Sequence, residues 1–390
     1  MKIRRRRLFI RSINKILEYN GYVVKLDVET GNLIWEFDFT SGSGVRSGFE
    51  TIHFTSDGGF IVGGFSHREW EEHPYFKSGG QVDNGRPVLH KFSAEIANSA
   101  SVSDPMPEWT YRCGAAGTTC DLNDGSMKNG RVYFDDGVEK IVALPTSRTI
   151  FVVVDVQTGG ELVYSGDAID TGFIDDGNAS DVEVDFDDSG AVVGFVTTGY
   201  RITLVSNDNG VPCIHAEEGE CGVFHGFFAK YDKNLDQRLW RTTFNTGDWP
   251  GGAGQFKDLE ASAYKSLVYT ECRGMTKVTG PDGHVGYAAA CGSGIEGCDI
   301  HGEIPCESDP RTTWRGAVPR IDREGNLVWY RLDSFQALLE EGDPGPNDVS
   351  ESASEYIFED KFGRIVSVTD EGMGGFGFLT YECEDGITCF

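Results

Sequence analysis

The sequence contains no run of about 18 apolar residues, the length a helix needs to cross a membrane. No membrane span is therefore expected. Lys and Arg are also scarce, at 34 against 62 Asp and Glu, for a formal charge of -28. Seven of those bases crowd into residues 1–15, which hold no acid, so the remainder carries 27 bases and a net charge of -35. Binding of DNA or RNA relies on Lys and Arg to neutralise phosphates, and a body this acidic repels polyanions. Nucleic acid is excluded as a partner on this reading, whereas cations, cationic partners and neutral glycans stay open.

Catalytic signatures are missing as well. The Gly/Ser-rich stretches SGSGVRSG at 41–48 and CGSGIEGC at 291–298 contain no GxSxG followed by a helix, so a serine nucleophile elbow is not supported. Neither a phosphate-binding loop nor a dinucleotide fingerprint occurs between a strand and a helix. Helical patterning itself is nearly absent, limited to SFQALLEEG at 334–342. The basic opening MKIRRRRLFIRSINKILEYNG has only three consecutive apolar residues, Leu8 to Ile10, where a secretion signal needs roughly 7–15.

The ten cysteines form close sequential pairs: Cys113/Cys120, Cys213/Cys221, Cys272/Cys291, Cys298/Cys306 and Cys383/Cys389. No CxxC spacing of a zinc site is present, so five disulfides in an oxidising compartment are expected, against the alternative of ten reduced thiols in the cytosol. A secreted or cell-surface protein follows, with its signal lying upstream or replaced.

What the chain has in abundance is glycine, 51 residues, and aromatics, 12%. They fall into two alternating hairpin patterns. The first pairs an apolar strand with an acidic or Asn/Gly turn and a second strand carrying a large aromatic. Its copies are VVKLDVETGNLIWEF at 23–37, PVLHKFSAE at 87–95 with PEWTYRC at 107–113, FVVVDVQTGGELVYSG at 151–166, FFAKYDKNLDQRLWRTTF at 227–244, AVPRIDREGNLVWYRL at 317–332 and GFGFLTYECEDGITCF at 375–390. The second, inner pattern occurs in FETIHFTSDGGFIVGGFS at 49–66, SDVEVDFDDSGAVVGFVT at 180–197 and SASEYIFEDKFGRIVSVTDEG at 352–372. A degenerate copy is placed at 138–154, and an interrupted one runs from 259–265 to 281–292. Alternating the two hairpins yields four strands per repeat, the content of one propeller blade. The expected fold is an all-β β-propeller of four-stranded antiparallel blades, about six in number, with five or seven as alternatives. Residues 21–390 form a single propeller domain on this reading. The basic segment 1–20 is either a divergent inner hairpin or an incomplete first blade.

The string VVKLDVETGNLIWEF, with Asp27, Thr30, Gly31 and Trp35, resembles the tryptophan-docking repeat of quinoprotein-like (PQQ-like repeat) β-propellers. The DGG turn of TSDGGFIVGG at 55–64 is similar to the inner strands of bacterial secreted propeller repeats. The resemblance implies a packing role between neighbouring blades for Trp35, Trp109, Trp240 and Trp329. A quinoprotein dehydrogenase is expected to be longer and to hold its cofactor against two adjacent cysteines. No two cysteines here are adjacent, so bound pyrroloquinoline quinone (PQQ) is not expected.

An acid stands near the start of each inner hairpin: Glu50, Glu139, Asp181, Glu260 and Glu355. Converging in a channel, such carboxylates would bind a cation or basic peptide; alternatively each accepts hydrogen bonds within its own blade. The loop GDAIDTGFIDDGNASD at 166–181 offers Asp170, Asp175, Asp176 and Asn178 as oxygen ligands for calcium, against the alternative of a solvated acidic turn. Asn178-Ala-Ser180 is also a glycosylation sequon. His67 and His73 in HREWEEH frame a weaker candidate for zinc, since one loop cannot complete a tetrahedral site. The function expected is a non-enzymatic binding module for protein, glycan or cation, with an extracellular propeller lyase, hydrolase or quinone-dependent oxidoreductase as the alternative.

Overall fold

The computed structural model describes residues 7–10, 21–27, 29–39, 45–69, 85–103, 105–122, 125–146, 148–166, 177–206, 215–217, 220–245, 269–280, 283–294, 315–333, 352–371 and 375–381. Among them, six antiparallel sheets succeed one another along the chain. The first holds β1 (Arg7–Ile10), β2 (Gly21–Leu26) and β3 (Leu33–Phe39). The second runs in order through β4 (Val45–Phe54), β5 (Phe60–Glu69), β6 (Arg86–Phe92) and β7 (Trp109–Arg112). The third comprises β8 (Gly130–Asp135), β9 (Val138–Ala143), β10 (Val152–Asp155) and β11 (Glu161–Tyr164). In the fourth, β12 (Asn178–Phe186) and β13 (Val192–Ser206) lead to β15 (Glu220–Asp232), which also pairs with β14 (His215–Glu217) and β16 (Arg238–Phe244). The fifth holds β17 (Tyr269–Gly280), β18 (Gly283–Gly294), β19 (Arg315–Asp322) and β20 (Leu327–Asp333). The sixth is formed by β21 (Ser352–Glu359), β22 (Ile365–Glu371) and β23 (Gly375–Tyr381).

Successive up-and-down sheets of about four strands are the blades of a β-propeller, and that is the fold. Two compact units share the sheets: residues 1–171 with 184–193 and 233–236, and residues 172–183, 194–232 and 237–390.

Local chemistry explains the hairpins. In the turn after β2, Asp27 Oδ1 accepts from the Glu29 and Thr30 amides and from Thr30 Oγ1, while Gly31 takes a φ of 70°. The same turn recurs in the third sheet, where Asp155 Oδ1 accepts from Thr158 N and Oγ1 and Gly159 has φ 73°. An aspartate side chain thus satisfies amides that the tight turn frees, and glycine takes the left-handed position without a Cβ penalty. Inner-hairpin turns use the device with a different residue spacing. Asp187 Oδ1 accepts from the Ser189 and Ala191 amides, and Asp360 Oδ1 from those of Phe362 and Arg364.

Two hairpins differ from the sequence reading. The inner hairpin of the third blade is β8–β9, closed by the two-residue turn Asp136-Gly137 with φ 52° and 78°; β10 belongs to the outer hairpin. The stretch 138–154 therefore joins strands of two different hairpins. In the fifth blade the inner hairpin begins at Tyr269, so its first strand lies after residues 259–265, which are outside the described residues. The N-terminal basic segment supplies one strand, β1, paired antiparallel to β2. Residues 334–342 lie outside the described residues, and the described helix is instead the short α1 (Ala94–Asn98), capped by Ser93 Oγ. One and a half turns are too short to give a 3.6-residue pattern.

The core lies between neighbouring blades. Val23, Trp35 and Phe37 of the first sheet pack on Phe60, Val62 and Phe92 of the second. Ile61, Leu89 and Tyr111 of the second pack on Ile141, Val152 and Val154 of the third. In the other unit, Val196 and Phe228 meet Met275, Tyr287 and Ile321, and Val278, Ala288 and Val318 meet Ile357 and Ile365. Each strand of these pairs alternates faces, so a blade serves both neighbours with opposite side-chain sets.

Two of the expected disulfides fall among the described residues and both are formed, Cys113–Cys120 and Cys272–Cys291. The second joins directly paired residues of β17 and β18. Cys221 is on β15 with its side chain outside the described residues, as are Cys213, Cys298, Cys306, Cys383 and Cys389.

Candidate functional site

Glu50 lies on β4 and Asp181 on β12, each on the first strand of its sheet, and both reach the following blade. Glu50 pairs with Lys128 at 3.1 Å. Asp181 is 2% exposed and accepts from the Met275 amide at 2.7 Å, with its other oxygen on the Val182 amide. Glu139 does not share their position: it is on β9, beside the turn, and accepts from Ser56 N and Oγ of the preceding blade at 2.7 and 2.9 Å. Glu359 repeats that tie in the other unit by accepting from Thr279 N at 2.8 Å. These carboxylates bond from blade to blade, where the sequence suggested either a shared channel or bonds within one blade. Glu260, Asp170, Asp175, Asp176 and His73 lie outside the described residues, as do the side chains of Glu355 and His67. Asn178 is the first residue of β12.

The docking tryptophans sit against the next blade. Trp109 Nε1 donates to Val156 O at 2.9 Å, and a Cβ on Gly159 would lie 2.7 Å from its ring. Trp240 lies the same way on Gly325, where a Cβ would approach to 2.8 Å. Trp35 stacks on Phe60 at a centroid distance of 6.5 Å, and Trp329 meets Tyr381 at 5.8 Å.

Polar side chains also cluster on the first strand of the second blade and at the start of β8 in the third. Thr51 Oγ1 stands 2.5 Å from His53 Nε2 and 3.1 Å from Asn129 Oδ1, which also accepts from Arg131 at 3.2 Å. Burial, and then the Arg131 charge, lower the pKa of His53 to about 3, so its imidazole is neutral near pH 7. Thr51 itself is only 6% exposed.

Sequence reasoning missed a second group because it misplaced β17. Glu271 lies on that strand, 2.5 Å from Arg273, whose guanidinium stands over Tyr200 at 5.9 Å. Burial pushes the Glu271 carboxyl above its ordinary range, and Arg273 opposes the shift. Tyr200 in turn packs on Phe224 at 4.7 Å, and Phe224 on Tyr269 at 5.2 Å. The spacing Glu-Cys-Arg was visible, but only the placement of both residues on one strand, where i and i+2 share a face, makes it a pair. Among the described residues, no three His, Cys, Asp or Glu side chains are grouped to hold a metal ion.

No protein-family model and no curated protein matches this chain. Among solved structures it is similar to a glucose dehydrogenase, at 9% identity over 96% of each chain and a TM-score of 0.42. It is also similar to the quinohemoprotein alcohol dehydrogenase ADHIIG from Pseudomonas putida HK5, at 11% identity over 95% of this chain and 55% of that one, with a TM-score of 0.43. The Dos1 propeller shares 10% identity over 93% of this chain and 75% of that one, at 0.39.

Proposed function

We propose that this β-propeller is a secreted or surface-exposed, non-enzymatic binding module for a protein or glycan, with calcium as the cation that Asp170, Asp175, Asp176 and Asn178 would take. The observation that carries the reading is the employment of Glu50, Glu139 and Asp181. Each is occupied by a partner in a neighbouring blade, at 2.7 to 3.1 Å. Carboxylates so held build a scaffold and are poorly placed to shuttle protons, since a general acid or base must reach the substrate. Cys113–Cys120 and Cys272–Cys291 suit an oxidising, extracellular setting.

The test is a screen of the full chain against glycan and peptide arrays, followed by mass spectrometry of every ligand retained. Ligands that bind and come back chemically unchanged support the module. A ligand that is cleaved, eliminated or oxidised overturns it.

The enzyme alternative draws on one observation, Glu271, whose raised pKa beside Arg273 is a common setting for proton transfer. On that reading Glu271→Gln abolishes any turnover the screen detects.

A further inference from the structure

The first unit concentrates its exposed apolar side chains at one end. Among the described residues its exposed large hydrophobics are Leu33, Phe54, Met106, Phe134, Val138 and Leu162. Every one lies in, or within two residues of, the β2–β3 connection of the first sheet or the β4–β5, β6–β7, β8–β9 or β10–β11 connection of the next two. In an up-and-down sheet those connections share one end. Contacts between blades bring the three ends together. Lys25, just before the first turn, donates to Ala97 O and Ser99 O of the second blade, at 2.7 and 3.2 Å. Ser56, in the inner turn of the second blade, is held by Glu139 beside the inner turn of the third. Trp109, at the end of the second blade's outer connection, bonds Val156 in the outer turn of the third.

Scattered single hydrophobics are ordinary on a protein surface; their confinement to one end of three blades is not. Phe54 and Phe134 are 51% and 52% exposed and stand near the closing turns of their inner hairpins, Phe54 in the last pair of β4–β5, opposite Phe60, and Phe134 in the last but one of β8–β9, opposite Glu139. Met106 is 73% exposed. The same end has a definite charge. Among the described residues of segments 27–32, 55–59, 93–108, 135–139 and 155–161 there are ten Asp or Glu and no Lys or Arg. Lys91 and Lys140 reach in from strands and bond Asp57, Glu108 and Asp135, which offsets part of that charge.

We infer that the turn end of the first unit is a docking surface for a cationic amphipathic polypeptide segment, one that places aliphatic side chains on Phe54, Met106 and Phe134 and Lys or Arg among the turn carboxylates. The inference rests on the binding-module reading and names its partner by charge complementarity. Apolar contacts supply the affinity at the centre, and rim charges set encounter rate and salt dependence. Aromatic faces add attraction for Lys or Arg heads.

The probe is a short synthetic peptide alternating arginine and leucine, titrated by fluorescence anisotropy into the full chain. Comparison peptides alternate arginine with glycine and glutamate with leucine. The arginine–leucine peptide should bind more tightly than either, and more weakly as salt is raised. The variant F54S/M106S/F134S should weaken it by about tenfold or more. I202S/L204S, which alters residues of the second unit that are both 51% exposed, should leave it unchanged. Matched thermal unfolding midpoints show that both variants remain folded. Equal affinity in the two variants, or equal binding of the arginine–glycine peptide, overturns the inference. So does a natural ligand from the array screen that F54S/M106S/F134S retains in full, an outcome that leaves the binding-module reading standing.

Discussion

Trp240 of the fourth blade rests on Gly325 of the fifth so closely that a Cβ on the glycine would come 2.8 Å from the indole Cε3. The glycine also has φ 89°, so both its missing side chain and its backbone are used. The contact turns a local turn residue into part of the interface between blades.

Replacing that glycine should therefore cost more than replacing one used for its backbone alone. Gly325→Ala and Gly159→Ala combine a left-handed φ with a steric clash and should each lose about 2–3 kcal/mol. Gly31 has φ 70° but nothing within 4 Å of a Cβ, so Gly31→Ala should lose about 1 kcal/mol. Urea unfolding of the three variants checks the ranking, and equal losses would reject the docking contact as its cause.

The ties between blades should differ in strength according to burial. Asp181→Ala leaves the Met275 and Val182 amides without their acceptor in a buried setting and should cost about 2–3 kcal/mol. Glu50→Ala breaks a partly exposed ion pair with Lys128 and should cost under about 1 kcal/mol. Denaturant midpoints of the two variants give the comparison directly.

Acid should weaken the fold before the carboxylates titrate. Burial, followed by Arg131 for His53 and Arg112 for His90, brings both pKa values down to about 3. The unfolded chain binds these protons near pH 6.5, so it holds more protons than the folded state between about pH 3 and 6.5. Stability is then full above that window and falls as pH drops through it, by on the order of a few kcal/mol in total. Asp57 adds a later loss. Burial raises its pKa, but hydrogen bonds from Lys91, Thr55 and Gly59 outweigh that and hold it at about 2, so its contribution disappears as pH falls from 3.8 through 2. Urea midpoints measured in steps from neutral to acid pH should decline, and His90→Gln should shallow the slope. A flat profile down to about pH 4 would contradict buried neutral histidines.

The disulfides should contribute according to the loops they close. Cys272 and Cys291 are 19 residues apart and Cys113 and Cys120 are 7 apart. On chain-entropy grounds, replacing the first pair with alanines should cost about 3 kcal/mol and the second about 2.5 kcal/mol. Intact mass before and after reduction shows whether both bonds exist in the isolated protein.

The hairpins with a strong turn signature were legible in the sequence: Asp27-Thr30-Gly31, Thr55-Ser56-Asp57-Gly58-Gly59 and Asp360 through Arg364 all close where the turn chemistry directs. The third blade was misread because the 138–154 stretch is apolar on both sides of a loop, which outweighed the hairpin signal of Asp136-Gly137. Periodicity cannot tell which neighbour an apolar strand pairs with. The fifth blade was misread because the first strand was sought one segment too early. That shift hid Glu271 and Arg273, while Glu50 and Asp181, on correctly placed strands, were found.

The amino-acid sequence by itself determined the fold class, because turn chemistry and side-chain alternation act over a few residues and repeat along the chain. It also determined which cysteines would pair in the two bonds seen here, since close spacing leaves short loops to close. Only the tertiary structure decided what the carboxylates do. Glu139 reaches Ser56 across 83 residues and Asp181 reaches Met275 across 94. Such pairings depend on how one blade lies against the next, and a single strand's pattern carries no record of the neighbour whose amides its acid will meet.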